Sequence, residues 1–247
     1  MRVTWCDKLA SQPSIGLLLD PFYGGNETVL TRIAPLFEKW GTLEKPGFQV
    51  SVPDIFKVDV QRDDGFHYSF DATKAAVQFQ HRMKFRPVSG GLPVAELISS
   101  PQVFTSLLDT ASRELVEFTL QLPEIGRRAV RRVGVVSTTA VSEEDLPPGI
   151  QRLVEYVARP WPGGMETYNF NMTTKLYEHE NYWDRCIHSL VLPEDEDALL
   201  TLRFDWQRIL KKKQVASRRE LDRLCASAIE DALSYFEELA VGNAFDV

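Results

Sequence analysis

The sequence is poor in cysteine. Its 247 residues include only three cysteines, Cys6, Cys186 and Cys225, which stand far apart. Isolated cysteines in odd number suit neither a disulfide framework nor the C-x-x-C spacing of metal and redox sites. The segment Glu178-His179-Glu180 offers other metal ligands, but neighbours in a predicted turn point in different directions, and no second cluster stands at metal spacing. We therefore expect no disulfide and no bound metal.

Long apolar runs are also lacking. No stretch reaches the roughly 18 residues that a membrane-spanning helix needs, and the first residues contain no apolar core of the kind found in signal peptides. Hydrophobic residues make up 44% of the chain and charged residues 26%, which is an ordinary globular balance. The composition favours a soluble, cytoplasmic protein of one or two domains, with no membrane partner.

Signature motifs of cofactor binding and catalysis are missing. Gly24-Gly25 follows a predicted strand and precedes a predicted helix, but neither G-x-x-x-x-G-K-[ST] nor G-x-G-x-x-G is present. The G-x-S-x-G elbow and the H-E-x-x-H helix are absent as well. We expect no cofactor. An enzyme is not favoured but stays open, because active sites can be built from residues scattered along a chain.

Hydrophobic periodicity predicts the same order of elements twice: strand, helix, three strands, helix. In the first half these elements occupy residues 14–19, 26–41, 55–61, 66–71, 75–86 and 100–118. In the second half they occupy residues 127–141, 148–157, 165–177, 182–192, 198–206 and 217–242. Three consecutive antiparallel strands need a cover for their apolar face, and one long amphipathic helix per half supplies it.

The pattern therefore predicts an α+β fold with a mainly antiparallel sheet. The sheet is built from two tandem β-α-β-β-β-α units, residues 1–123 and 124–247, which share it and carry their helices on one face. Two local signals are especially clear. Asp63-Asp64-Gly65 between alternating runs predicts a hairpin with a type I′ turn, and Ser217-x-x-Glu220 is a capping box for the last helix, which ends at Gly242.

This order of elements resembles the duplicated TATA-binding-protein-like fold, in which two such units share a curved sheet with one face left free for a ligand. Three segments, Gln78-Phe79-Gln80-x-Arg82, Arg131-Arg132-Val133-Gly134-Val135 and Leu202-x-Phe204-Asp205, are similar to a sporadically distributed family of uncharacterised bacterial proteins of about this length. The first resemblance implies a topology. The second implies no activity.

Positive charge is unevenly distributed. The chain has 28 basic and 35 acidic residues, a formal net charge of -7. Nine of the basic residues nevertheless fall in two clusters, at a strand start and in the link to the last helix: Arg127, Arg128, Arg131, Arg132, Lys211, Lys212, Lys213, Arg218 and Arg219. They are candidate ligands for nucleic-acid phosphates or another anion. The alternative is a solvated run of charge at a helix entrance.

Asp184, Cys186 and His188 alternate on a predicted strand and so share one face. The set suggests a thiol nucleophile with its base and orienting acid. However, side chains two apart on a strand stand roughly 6.5 to 7 Å apart, because the rise is about 3.3 Å per residue. A nucleophile and its base must approach to about 3 Å. A half-buried thiol beside an ordinary histidine is therefore the favoured interpretation.

Three functions remain open at this point. The leading hypothesis is a non-enzymatic interaction or assembly module that binds a protein partner or a second copy of itself. The first alternative is a nucleic-acid-associated protein that uses the two basic clusters. The second alternative is a hydrolase or transferase that uses Cys186 and His188.

Overall fold

The computed structural model describes residues 4–9, 11–22, 29, 31–36, 48–54, 57–86, 94–97, 102–158, 167–192 and 199–245. The strands in these ranges are β1 (Gln12–Leu19), β2 (Phe48–Asp54), β3 (Lys57–Arg62), β4 (Phe66–Phe70), β5 (Lys74–Phe79), β6 (Met83–Arg86), β7 (Val94–Leu97), β8 (Ala129–Val141), β9 (Tyr168–Glu178), β10 (Tyr182–Leu192) and β11 (Leu200–Val215). The α-helices are α1 (Trp5–Lys8), α2 (residues 31–36), α3 (Phe104–Thr119), α4 (Pro148–Ala158) and α5 (Arg218–Val241).

Nine of these strands form one sheet in the order β2-β3-β4-β5-β1-β8-β11-β10-β9. Every neighbouring pair in it is antiparallel. The remaining strands, β6 and β7, pair only with each other. The predicted α+β class with a mainly antiparallel sheet is confirmed.

The first strands of the two halves, β1 and β8, lie side by side at the middle of the sheet, with Gly16 opposite Gly134. The order β3-β4-β5-β1 on one side mirrors β9-β10-β11-β8 on the other, and β2 is added at the first edge. Each half thus keeps its strands on its own side of the sheet. The division into units 1–123 and 124–247 stays a prediction.

The helices cover one face of the sheet. Alternate residues of the central strands, such as Leu17 on β1, Val133 on β8 and Phe204 on β11, are buried. Most of the residues between them are half-buried or exposed, although Val136 and Gln207 are buried as well. Helix α3 contacts β1 and β5, while α5 contacts β8, β11 and the other long helices. Among the described helices, none combines the length and the apolar character that a membrane crossing requires.

Several predicted boundaries are wrong. The predicted strand over residues 75–86 breaks after Phe79, because its partner β4 begins at Phe66 and the chain turns away at Gly65. Residues 83–86 belong instead to the separate β6–β7 hairpin. Strand β2 was not predicted. Strand β11 continues to Val215 rather than 206, so Lys211 to Lys213 lie in a strand and not in a link.

Other predictions fall partly outside the described residues. Of the predicted helix 26–41, residues 31–36 are helical. Gly24-Gly25, Ser100 and the acidic segment 194–197 are outside the described ranges. Helix α3 has Val103 at its N-cap, which forms no side-chain cap. Asp7 of α1 accepts hydrogen bonds from the backbone N (2.9 Å) and the hydroxyl (3.2 Å) of Thr105, so the cap comes from another element.

The hairpin at Gly65 is present, but its turn is not type I′. Gly65 has a φ of +106°, whereas Asp64 is not among the residues with positive φ. A Cβ at position 65 would lie 2.5 Å from the carbonyl oxygen of Gln80, which is a steric clash with the backbone. Gly65 also closes the ladder, since its carbonyl oxygen accepts a hydrogen bond from Gln80 N (3.0 Å). Glycine is therefore required there by both conformation and space.

We predict that Gly65→Ala lowers the free energy of unfolding by about 1–3 kcal/mol, because alanine is strained at this φ and clashes with the next strand. Urea denaturation measures the change. Gly126→Ala is the matched control, because among the described residues no atom lies within 4 Å of the added Cβ. Equal stability of the two variants would contradict the prediction.

Candidate nucleic-acid interface

The two basic clusters meet where β8 begins and β11 ends. Val215 is paired with Ala129, and the backbone N of Ala216 donates to the carbonyl oxygen of Arg128 (3.3 Å). The second cluster comes about 80 positions after the first in the chain, yet antiparallel pairing places the two side by side. We call this region, formed by the nine basic residues named above, the basic end.

A bulge in β11 exposes the lysines. The register passes from Ile209 opposite Arg132 to Gln214 opposite Val130, so that five steps on β11 match two on β8. The extra residues interrupt the ladder with β8, as in a β-bulge. Lys211, Lys212 and Lys213 are all exposed as a result.

Asp20 holds part of the basic end together. It follows β1, and its carboxylate accepts from Arg131 Nε (2.6 Å) and lies 3.8 Å from Lys213 Nζ. Desolvation alone would raise the pKa of Asp20, but the hydrogen bonds from Arg131 and from the backbone of Ala129, with the nearby charges, hold it below its usual value. One carboxylate therefore links a residue of each cluster.

Arg128 has a structural role. Its side chain is only 5% exposed, and its guanidinium donates to the carbonyl oxygens of Asp20 (2.8 Å) and Ala72 (2.9 Å). It also lies over the ring of Phe22, 5.9 Å from the centroid. Arg128 thus ties the start of β8 to the end of β1 and to the turn between β4 and β5, and it is not available to a ligand.

Two arginines share one acceptor on the sheet face opposite the helices. Arg132 Nη1 (3.1 Å) and Arg185 Nε (2.9 Å) both donate to Oε1 of Gln207, whose Nε2 donates to Asp205 (3.0 Å). Arg185 also lies 5.6 Å from the ring centroid of Trp183. A neutral amide therefore positions two positive charges, one of which lies next to an aromatic ring. Neither Arg185 nor Gln207 was predicted from the sequence as part of a site.

Lys211 is neutralised locally. Its Nζ donates to Glu178 (2.7 Å) and to the carbonyl oxygen of His179 (2.9 Å). Hydrogen bonds from Lys175 and Lys211 lower the pKa of Glu178 to about 2. The predicted turn Glu178-His179-Glu180 is thus engaged with lysines.

The other cations of the basic end lack acidic partners. Within the described part of the chain, Arg127, Lys212, Arg218 and Arg219 form no ion pair and no side-chain hydrogen bond, and all four are exposed. Together with Arg132, whose partner is the neutral amide of Gln207, they leave five positive charges uncompensated by a direct acidic contact.

Arg218 and Arg219 also oppose the dipole of their own helix. They occupy the first turn of α5, where backbone N–H groups already carry partial positive charge. Each cation there costs about 0.3–1 kcal/mol. Glu220 in the same turn is paired with Arg223 (2.8 Å). Local stability therefore does not explain these two arginines.

The set Asp184, Cys186 and His188 does lie on the buried face of β10, but its groups are engaged or neutral. Burial raises the pKa of the Cys186 thiol well above its usual value, and burial lowers the pKa of His188 to about 4. His188 Nε2 is 2.9 Å from the hydroxyl of Tyr235. Neither a thiolate nor a thiol–imidazole pair is formed.

Asp184 belongs to a buried ionic network that the sequence analysis missed. Arg208 Nε (2.9 Å) and Nη2 (2.7 Å) donate to its two carboxylate oxygens. Arg208 also donates to Asp231 (2.6 Å) and Ser227 (2.8 Å), and its guanidinium lies 4.0 Å from the ring centroid of Tyr182. A cavity of about 440 Å³ adjoins this network. These hydrogen bonds use four of the five N–H groups of Arg208, and the network fixes α5 on β10 and β11.

Comparison with known proteins gives no relatives: no protein-family model, curated protein or solved structure matches the chain.

We predict that His188 makes the protein less stable in acid. Its pKa is about 4 in the folded state and about 6.5 in the unfolded state, so the unfolded chain alone binds the proton between these values. The free energy of unfolding falls by about 3 kcal/mol from this group as pH drops from 6.5 to 4. Urea titrations of wild type and His188→Gln across this window measure the effect. Identical pH slopes would contradict it.

Proposed function

We propose that this chain is a non-enzymatic binding module whose basic end binds the phosphate backbone of a nucleic acid. The observation that carries the proposal is the convergence of two basic clusters at one end of the sheet, with Arg127, Lys212, Arg218 and Arg219 exposed and without acidic partners in the described part of the chain. Clustered cations of this kind release counterions when they meet a phosphate backbone.

The types of residue support phosphate as the ligand. Three of the four unpartnered side chains are arginines, whose planar guanidinium matches phosphate with two parallel hydrogen bonds. Arg132 and Arg185 extend the positive surface onto the open face of the sheet, next to Trp183. An aromatic ring beside cations is a feature of single-strand binding surfaces, where bases stack on the ring.

The net charge of -7 fits this proposal. With the basic residues gathered at one end, the remainder of the surface is acidic and repels a polyanion. Binding is thereby confined to the basic end, and the complementary field steers association to it.

The buried groups support the non-enzymatic part of the proposal. Cys6, Cys186 and Cys225 are all buried and unpaired, and burial raises the pKa of each thiol. Unpaired thiols fit a reducing compartment such as the cytoplasm, where we place the protein.

We predict that the chain binds a fluorescently labelled single-stranded oligonucleotide with strong salt dependence. Neutralising four phosphates gives a slope of log K against log[salt] of about -3, since each contact contributes about -0.7 for single strands. The double variant Lys212→Ala/Arg219→Ala should weaken binding and make the slope shallower by about 1.4. Fluorescence anisotropy at several salt concentrations measures both quantities.

Arg203→Ala is the control for this measurement. Arg203 is exposed on the same strand β11, but it lies opposite Thr138 and Ser189, far from the bulge. It should leave affinity and slope unchanged. Wild type that shows no binding at low salt, or an equal loss in Arg203→Ala, would overturn the proposed function.

A further inference from the structure

Helix α5 carries charges in the reverse of the order that its dipole favours. Its basic residues are Arg218, Arg219 and Arg223, all in the first two turns, and no Lys or Arg follows them in the helix. Its C-terminal half contains only acidic charges: Glu230, Asp231, Glu237 and Glu238. A helix dipole favours acids at the N-terminus and bases at the C-terminus. The first two turns also contain Glu220 and Asp222, so they carry a net charge of +1 (three Arg minus two acids), whereas the second half carries -4, and this order costs local stability.

The acidic part of α5 borders a groove against α3. This groove has a volume of about 1280 Å³ and is lined by five acidic side chains and one arginine, Arg113. The five acids are Asp109, Asp222, Glu230, Glu237 and Glu238. Glu237 accepts from the backbone N of Trp5 (2.8 Å). Within the described part of the chain, the other four form no ion pair.

The groove also offers apolar contact area. Ile229 and Leu233 line it and are only partly buried, and Val241 at its end is 53% exposed. Acidic side chains around partly exposed aliphatic ones form a surface that suits a basic partner with an apolar centre.

The basic end of the same chain has this character. Val215 is 54% exposed and stands between Lys213 and Arg218, in a surface that also contains Lys212 and Arg219. The charges of the basic end are opposite to those of the groove. Val215 lies among the cations of the basic end, just as Ile229 and Leu233 lie among the acids of the groove.

We propose that the acidic groove binds the basic end of a second copy of this chain. Charge complementarity and the two aliphatic patches argue for this occupant. The contact is head to tail, so each copy keeps a free groove and a free basic end, and association continues into short chains instead of closing as a symmetric dimer. Net repulsion between copies is screened beyond about 8 Å at physiological ionic strength, so the local contact decides.

This contact uses the cations that the proposed function assigns to nucleic acid. The two ligands therefore exclude each other at the basic end, and an oligonucleotide dissociates the assembly. The groove, in contrast, has no part in nucleic-acid binding, which makes the two proposals separable.

The test is sedimentation equilibrium of the full chain with charge-reversed variants. At about 0.15 M salt, where net repulsion is screened beyond about 8 Å, the weight-average mass of wild type should rise with concentration to at least about twice that of the monomer. At about 0.5 M salt it should fall to the monomer value because the Debye length is then only a few ångströms. Glu230→Lys/Glu238→Lys, which reverses the groove, and Lys212→Glu/Arg219→Glu, which reverses the basic end, should each be monomeric. An equimolar mixture of the two variants should associate again, because it restores opposite charges.

The control is Glu144→Lys/Glu155→Lys, which makes the same change of charge at exposed acids outside the groove. It should associate like wild type. The groove variant should bind the oligonucleotide at least as tightly as wild type, because its basic end is intact and no longer occupied by a groove, which shows that it is folded and that the proposed function holds independently.

Three outcomes would overturn the inference. Wild type that stays monomeric at about 0.15 M salt leaves the groove to a different protein. A groove variant that associates like wild type places the contact elsewhere, for example at a sheet edge. A mixture of the two variants that remains monomeric shows that the groove and the basic end are not partners.

Discussion

The pairing of β8 with β11 is the interaction on which the rest of this structure depends. It joins the middle of the sheet to the second half of the chain, through pairs such as Val135 with Trp206 and Ser137 with Phe204. It also sets where β11 ends and therefore where α5 begins. Both basic clusters, the bulge and the start of α5 are in their places because these two strands run antiparallel over most of their length.

A concentration of like charge at the end of a sheet requires compensation, and the protein supplies only part of it. Asp20 serves two cations, Glu178 serves Lys211 and Lys175, and the amide of Gln207 positions two arginines without neutralising them. The basic end is thus ordered by neighbouring groups and still strongly positive. If acids neutralised all of its cations, the basic end would be a network of exposed salt bridges. Such a network would contribute little to stability.

Elements that have a regular pattern of buried and exposed side chains, or a local cap, could be predicted from the sequence. Strand β10 lies at the predicted residues 182–192, because buried and half-buried residues alternate along it. Helix α5 begins after Ser217, whose hydroxyl accepts from Glu220 N, and ends at Gly242 with a φ of +91°. Both caps are local interactions that neighbouring residues determine by themselves, so the sequence pattern is sufficient to identify them.

The elements that were missed depend on tertiary partners. Gln207, Arg208 and Lys211 to Lys213 read as the end of a strand, because polar residues replace the apolar alternation. In the structure Arg208 is buried by Asp184 and Asp231, and the strand continues beside β8. The cap of α3 likewise comes from Asp7, about 100 positions earlier in the chain. Of the candidate site, the sequence identified the cations but could not show that they meet, nor that Arg185 joins them.

Helix α5 shows why unfavourable charges can persist on a stable element. Its buried face includes Leu221, Leu224, Phe236 and Leu239, and a buried Leu or Phe contributes about 1.5–3 kcal/mol. Each charge placed against the helix dipole costs about 0.3–1 kcal/mol. The stabilisation from apolar packing therefore exceeds the cost of the unfavourable charges, and the exposed residues of the helix need not serve stability. Arginines at its first turn and carboxylates in its second half are explained as binding surfaces and not as determinants of the fold.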